Sequence, residues 1–387
     1  MKTIDILKIE NNSNSVSIML DINGNTEIVT TTFSENVVQY ITTDRIDSVV
    51  MGLMLFAIKH GYDFHSDIPI SESLYYNMAY HFIDAIASTK NLHHPRIIAP
   101  VVADASGTGD IVATGISCGV DSLYTIYTHT EKVPDKYKLN HLVFLNVGSH
   151  HSDKGEDDSQ RLFLGRRNLC RKFSKEAKLP LIEITSNLYA IYDKYDKEYS
   201  HIEEHTYMAL FCMLLIQNGL KIYYYSSGLR YTDFNCRYMP DNAFDAAQYD
   251  LLTLHCASIG NTEFITAGGN ASRIEKLKSI CDYNLAHKYL NVCVIDVINC
   301  SKCFKCVRTM LELDALDKLD LFEQVFDVKN YMLNRHRYLE QFYIDSIRGD
   351  RFMKELVPYF ENELTWTFKL KAIVNKVIQV LRNRLKF

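Results

Sequence analysis

ATGISCGVDSLYTIYTH, residues 113–129, is the stretch on which the fold turns. A short apolar run, IVATGIS, breaks at Ser117-Cys118-Gly119-Val120-Asp121-Ser122, and a helical pattern resumes near Asp121. The reading is strand, small-residue turn, helix. Small residues let backbone amides approach an anion, and a helix start adds unpaired N–H groups and the positive end of its dipole. Ser117 and Ser122 add hydroxyl donors. Asp121 is too negative to face phosphate itself. It is expected to hold the turn through backbone N–H groups or to help place a magnesium ion. The plainer alternative is an ordinary strand-to-helix turn capped by Asp121. G-x-G-x-x-G and GxxxxGK[ST] are both absent, which disfavours dinucleotide and Walker-type sites.

Downstream, strands alternate with helices: HLVFLNVG (141–148), a helix over roughly 159–177, LIEITSN (181–187), a helix over roughly 203–218, and KIYYYSSG (221–228). Each strand is a short continuous apolar run, which suits parallel strands covered on both faces. LNVCVIDV (290–297) reads as a further strand. After residue 306 the pattern is helical to the end. Upstream, residues 1–33 alternate apolar and polar, with a turn signal at Asn23-Gly24, and predict two or three antiparallel strands. Thr43-Asp44 should cap a helix over roughly 45–60 that stops at Gly61, and Ser71 a helix over roughly 71–88. RIIAPVVA predicts a strand near 96–103. The expected fold class is therefore α/β, a doubly wound, Rossmann-like parallel sheet, with a small α+β N-terminal domain (1–105), a central domain (106–310) and a helical C-terminal region (311–387).

Composition adds bounds. The chain has 387 residues, 47% apolar and 23% charged, and a formal charge of −5, so nothing global argues for nucleic-acid or membrane binding. No run reaches the roughly 18 apolar residues of a membrane span. The start, MKTIDILKIENN, lacks a leader pattern, and a cytoplasmic location is expected. There, ten cysteines are not expected to form a disulfide framework.

Four of the cysteines form Cys293-x6-Cys300-x2-Cys303-x2-Cys306. Two successive x2 spacings gather three thiolates around one ion, and Cys293 can complete a tetrahedron. Zn2+ is favoured, with an iron–sulfur cluster as the alternative. Cys293 is the weakest member, because it lies in an apolar run and could be core filler; Cys281 or His287 is then the substitute ligand. With no open position, such a site is structural: it clamps residues 290–306 and presents the side chains beside it.

SCGVDS after a strand resembles the SGGxDS signature of the PP-loop (N-type) ATP pyrophosphatases. Paired with a late four-cysteine cluster, it is similar to the 7-cyano-7-deazaguanine synthases. NCSKCFKCVRTMLEL (299–313) looks closer still to bacterial PP-loop proteins bearing C-x2-C-x-KC-x-RT-M, and some relatives of the deazaguanine enzymes stand in antiviral defence operons. The resemblance covers roughly residues 111–315. It implies an ATP- and Mg2+-dependent ligase-type enzyme that places AMP on a carboxylate or related oxygen, releases pyrophosphate, and forms an amide or nitrile. It assigns Ser117, Gly119, Val120, Asp121 and Ser122 to the phosphates and the backbone around Asn146 to adenine. Cys118 stands where the family has glycine, and reads as a small filler rather than a nucleophile.

Arg273 and Lys276, at i and i+3 in NASRIEKLKSI, share a helix face and could neutralise the departing pyrophosphate. His205, at a helix start after the third strand, is a candidate proton acceptor or substrate contact, with a structural role as the alternative. The SHHSD loop (149–153), Ser226-Ser227-Gly228 and Arg230 are weaker candidates at the same edge. The implied partners are ATP, a carboxylate-bearing small molecule or a peptide or protein end, and ammonia or an amine. A class II glutaminase needs an N-terminal cysteine, and the chain begins Met1-Lys2, so nitrogen is expected from outside. Residues 364–387 form a basic amphipathic helix (Lys369, Lys371, Lys376, Arg382, Arg384, Lys386) expected to pack back on the protein, with a protein partner, a membrane surface or a nucleic-acid tail as the alternatives. Two competing functions remain: sulfur transfer to a tRNA base, and a non-catalytic nucleotide-binding subunit.

Overall fold

The computed structural model of the chain describes residues 2–88, 91–105, 107, 109–150, 154–235 and 245–384. Two compact units emerge, Met1–Ser117 with Thr125–Asn270, and Cys118–Tyr124 with Ala271–Phe387.

The first unit is built on one mixed ten-stranded sheet. Its strands are β1 (Lys2–Asn12), β2 (Ser15–Ile22), β3 (Asn25–Phe33), β4 (Tyr62–Ser66), β5 (Ile97–Ile98), β6 (Ile111–Gly115), β7 (His141–Asn146), β8 (Leu181–Ser186), β9 (Leu220–Ser226) and β10 (Glu263–Ala267). They run in the order β10-β9-β6-β7-β8-β3-β2-β1-β4-β5. The segment β10 to β8 is parallel throughout, as its apolar runs predict. The meander β1–β3 is antiparallel, and β3 pairs antiparallel with β8, so the meander continues the parallel sheet. Asn23 and Gly24 take φ of 54° and 89°, the mirror-image turn that matches strand twist.

Helices α1 (Asp47–His60), α2 (Val120–Glu131), α3 (Glu156–Ala177), α4 (His201–Leu214) and α5 (Asp250–Ala257) alternate with the strands. The first of these begins two to three residues later than Thr43-Asp44 suggests. It ends as expected, on left-handed Gly61. Residues 72–87 are helical with a π-helical turn over Met78–Phe82. Ser71 stands at the cap position, yet its hydroxyl binds the buried Asp47 carboxylate at 2.5 Å instead of the helix.

Three strand predictions change. Residues 96–103 form two pairs, Ile97–Ile98 and Val101–Val102, because the second joins Ile70–Ser71 in a separate small sheet. β10 arises from EFITA, where no strand is predicted. LNVCVIDV is not a strand: Asn291 and Asn299 bond back to the main chain of this segment and fold it into an irregular loop.

The second unit carries the turn at 118–124 and α6 (Arg273–Ile280), α7 (Phe304–Ala315), α8 (Val328–Ile347), α9 (Arg351–Leu356) and α10 (Trp366–Arg384). Helix α10 packs on α8 through its more polar side: Asn375 donates to Glu340, and Lys376 to Gln341. Trp366, Leu370, Val374, Val377 and Leu381 face solvent. The tail thus packs back, but not by its apolar stripe. Among the described residues, no helix is long and apolar enough to cross a membrane.

Candidate functional site: a strand-to-helix turn and a four-cysteine cluster

β6 is central in the parallel part of the sheet, and the chain leaves it through Ile116, whose N–H bonds Val143 O at 2.8 Å. Cys118 then takes φ of 58°, the left-handed region that glycine enters freely and other residues enter at a cost. This is the position where SGGxDS has its first glycine. The Cys118 side chain is fully buried, consistent with a filler. Leu123 N–H bonds Gly119 O at 3.0 Å, starting α2, and the Ser122 hydroxyl bonds the same carbonyl at 3.1 Å.

Asp121, Arg273 and Lys276 come together, although 155 residues separate Asp121 from Lys276. Lys276 Nζ donates to Asp121 Oδ1 at 2.9 Å; the lysine side chain is 2% exposed and the aspartate 30%. Arg273 has a terminal nitrogen 3.8 Å from Asp121 Oδ2. Its Nε bonds Glu312 at 3.0 and 3.2 Å, and its other terminal nitrogen bonds Thr309 Oγ1 at 3.1 Å. The i, i+3 spacing thus places both cations on the Asp121 carboxylate, and a capping box of Ser272 with Glu275 starts their helix.

Two further cations belong to this cluster. Arg308 lies beside Glu312 at 3.8 Å and over the Phe352 ring at 4.3 Å, and its Nε is buried without a hydrogen-bond partner. Burial, then the nearby Arg273, pushes its guanidinium down to about 10. Lys305, partly buried, is pushed down by burial and by Arg308 and Arg273. Burial pushes the Glu312 carboxyl up, against the pull of Arg273 and Arg308. Lys305, Arg308 and Glu312 fall at i, i+3 and i+7 in NCSKCFKCVRTMLEL. That spacing was the available signal for a charged helix face, masked by the cysteines interleaved with it.

The four cysteines converge. The Sγ atoms of Cys293, Cys300, Cys303 and Cys306 all lie within 4.8 Å of one another, with Cys300 and Cys306 4.0 Å apart. Four sulfurs at about 2.3 Å from a tetrahedral zinc would stand about 3.8 Å apart, so the donor set could hold a metal such as zinc. Ser301 takes φ of 57°, turning the chain between the ligands. Burial opposes ionisation of Cys300, but N–H groups of Lys302 and Cys303 outweigh it and bring the thiol down to about 7, which suits a thiolate ligand. Cys281 instead bonds Leu277 O, and His287 Nε2 bonds Cys281 O at 2.8 Å, so neither takes the place of Cys293. The cysteine loop also touches the turn: Asn291 N–H donates to Cys118 O at 2.8 Å.

The remaining candidates lie in the first unit. Asn146 ends β7, next to β6 in the sheet. His205 opens α4, and its Nδ1 is 2.5 Å from the Tyr225 hydroxyl. Burial holds the imidazole at about 4 and the Tyr225 phenol well above its usual range, so both groups stay uncharged across this hydrogen bond. Ser226 bonds Thr125, and Arg230 pairs with Asp233 at 3.6 Å. His150 stacks on Phe144; His151, Ser152 and Asp153 lie outside the described residues.

No protein-family model, curated protein or solved structure matches the chain. The protein is a mixed α/β protein with a large, mostly parallel sheet and a four-cysteine cluster that could bind a metal.

Proposed function

We propose that the chain is an ATP-dependent adenylating enzyme of the PP-loop kind, in which the turn 117–122 takes the phosphates of ATP. The observation that carries this reading is the joining of the turn to buried cations: Lys276 and Arg273 are anchored on Asp121, the first-turn residue of α2, beside a backbone bend that favours glycine. The resemblance of SCGVDS to SGGxDS supplies the rest.

In this reading a carboxylate oxygen of the acceptor attacks the α-phosphorus of ATP. The bond from that phosphorus to the bridging oxygen breaks, and pyrophosphate leaves with the electron pair. Ammonia or an amine then displaces AMP from the acyl-adenylate. Backbone N–H groups of the turn orient the phosphates, and Lys276 and Arg273 offset charge growing on the leaving group. Asp121 has a positioning part: its carboxylate holds the two cations in place. Magnesium, carried in with the triphosphate, supplies further charge neutralisation. The cysteine cluster with zinc is structural and holds the loop whose Asn291 N–H braces Cys118.

The test is incubation of the metal-loaded protein with ATP, magnesium and panels of carboxylic acids and amines, with chromatography of the nucleotides. AMP with equimolar pyrophosphate is expected. ADP, or tight ATP binding lost on no change at Asp121, Arg273 or Lys276, counts against the reading.

A further inference from the structure

We propose that α10 is an interfacial membrane helix, whose exposed apolar face lies in the headgroup region of an anionic lipid bilayer. The inference goes beyond the nucleotide reading and does not depend on it.

The pattern of the helix comes first. Trp366, Leu370, Ile373, Val374, Val377 and Leu381 recur every three to four residues, so they fall within an arc of about 100° on the helix surface. All six are exposed, Trp366 at 74% and Val377 at 52%. The opposite side is the one that docks. Ala372 is 1% exposed, Asn375 and Lys376 bond α8 through Glu340 and Gln341, and Phe368 meets the His336 ring edge to face. The helix is thus fixed to α8 by its other side and turns its apolar residues outward. A continuous apolar stripe on water-exposed surface marks an interaction site.

Charge identifies the occupant. From Trp366 to Lys386 there are six Lys and Arg residues and no Asp or Glu, in a chain whose formal charge is −5. By helical position, Lys371 and Arg382 border the apolar arc on one side, and Lys369 and Lys376 on the other. Lys371 and Arg382 are exposed. This arrangement suits a helix lying in a bilayer surface: apolar residues enter the acyl boundary, and the long basic side chains reach back to anionic headgroups. Trp366, on the same face in the first turn, favours that interface. α10 has 19 residues, about 28 Å of helix, and is not apolar enough to cross a membrane, so it lies along the bilayer.

Other occupants fit less well. Two copies of the face laid together would set like charges against each other along both borders, with no carboxylate on the helix to meet them. A nucleic acid would leave the apolar stripe in water. A peptide helix needs a groove, and this face is the outward side of a single helix.

The test uses the full chain. Trp366 is the sole tryptophan, so its fluorescence reports on this face alone. The protein is mixed with phosphatidylcholine vesicles, with or without about one third phosphatidylserine. Co-sedimentation at least about tenfold stronger with the anionic vesicles is expected, with a blue shift of the Trp366 emission and quenching by brominated lipid. Lys371→Gln and Arg382→Gln should each weaken binding about fivefold, and about twenty-fivefold together. Leu370→Gln with Val377→Gln should weaken it more than about tenfold and leave the Trp366 emission unshifted. These side chains are exposed, and far-UV circular dichroism with the urea midpoint serves as the folding control. Failure of the folded protein to bind the anionic vesicles, or binding undiminished by Leu370→Gln with Val377→Gln, would overturn the proposal. Preference for a DNA oligonucleotide over the vesicles would do the same. So would an emission that is blue-shifted without lipid and moves to the red on dilution, which would place a second copy on the face.

Discussion

Asp121 and Lys276 are an unequal pair, and removing them singly should have unequal effects. Lys276 is 2% exposed and Asp121 30%. Asp121→Asn keeps the shape but takes one carboxylate from a buried ammonium; losing one partner of a buried pair costs about 3 kcal/mol or more. Lys276→Met leaves a carboxylate that water can reach and that Arg273 still faces at 3.8 Å, so the cost should be about 1 kcal/mol. The double variant should also sit near 1 kcal/mol, giving a coupling of about 3 kcal/mol. Urea unfolding followed by far-UV circular dichroism measures all four forms, with unchanged m-values as the condition for comparison. Equal costs for the two single variants, or a neutral Asp121→Asn, would refute the buried pairing. The cycle also separates stability from chemistry: loss of turnover in Asp121→Asn is evidence for the site only once Lys276→Met, which folds, has lost nucleotide affinity too.

Other outcomes follow from the same geometry. Elemental analysis should find about one zinc per chain, and Cys303→Ser should lose both the metal and much of the pyrophosphate affinity. A folded, metal-free protein with normal affinity would contradict this. At Cys118, Gly should change stability by less than about 1 kcal/mol, since relief of left-handed backbone offsets the lost buried thiol. Val there should cost more than about 2 kcal/mol, because a branched Cβ fits poorly at φ of 58°. Glu204 is wholly buried and, by that burial, raised from 4.5 to about 8. The folded form therefore holds a proton that the unfolded chain has released. Its contribution is fully present below pH 4.5 and fades as pH rises through 8, at no more than about 1.4 kcal/mol per pH unit. Glu204→Gln should flatten that decline, seen as a urea midpoint less sensitive to pH between 5 and 8.

The local pattern of the chain was enough for the parallel strands β6 to β9. Strands covered on both faces leave short continuous apolar runs bounded by turns, and those runs can be read residue by residue. The cysteine set was legible for a related reason: two x2 spacings force thiolates together whatever lies around them. The turn after β6 showed itself through small residues and a helix start.

Other features depended on partners far away in the chain. EFITA offers only Phe264 and Ile265 as adjacent large apolar residues, and it is a strand because β9 lies beside it. LNVCVIDV has strand composition, but Asn291 and Asn299 bind its main chain and bend it around the cysteines. The tail has an amphipathic pattern, yet α8 offers it carboxylate and amide partners, so its polar side docks. Arg273 and Lys276 could be chosen from their spacing, but not their counter-ion, because Asp121 is 155 residues from Lys276. Lys305 and Arg308 carry no mark of burial in the sequence; packing partly buries both. Sequence order sets which residues can be neighbours along one element; burial and charge balance are properties of the assembled chain and exist only once distant elements meet.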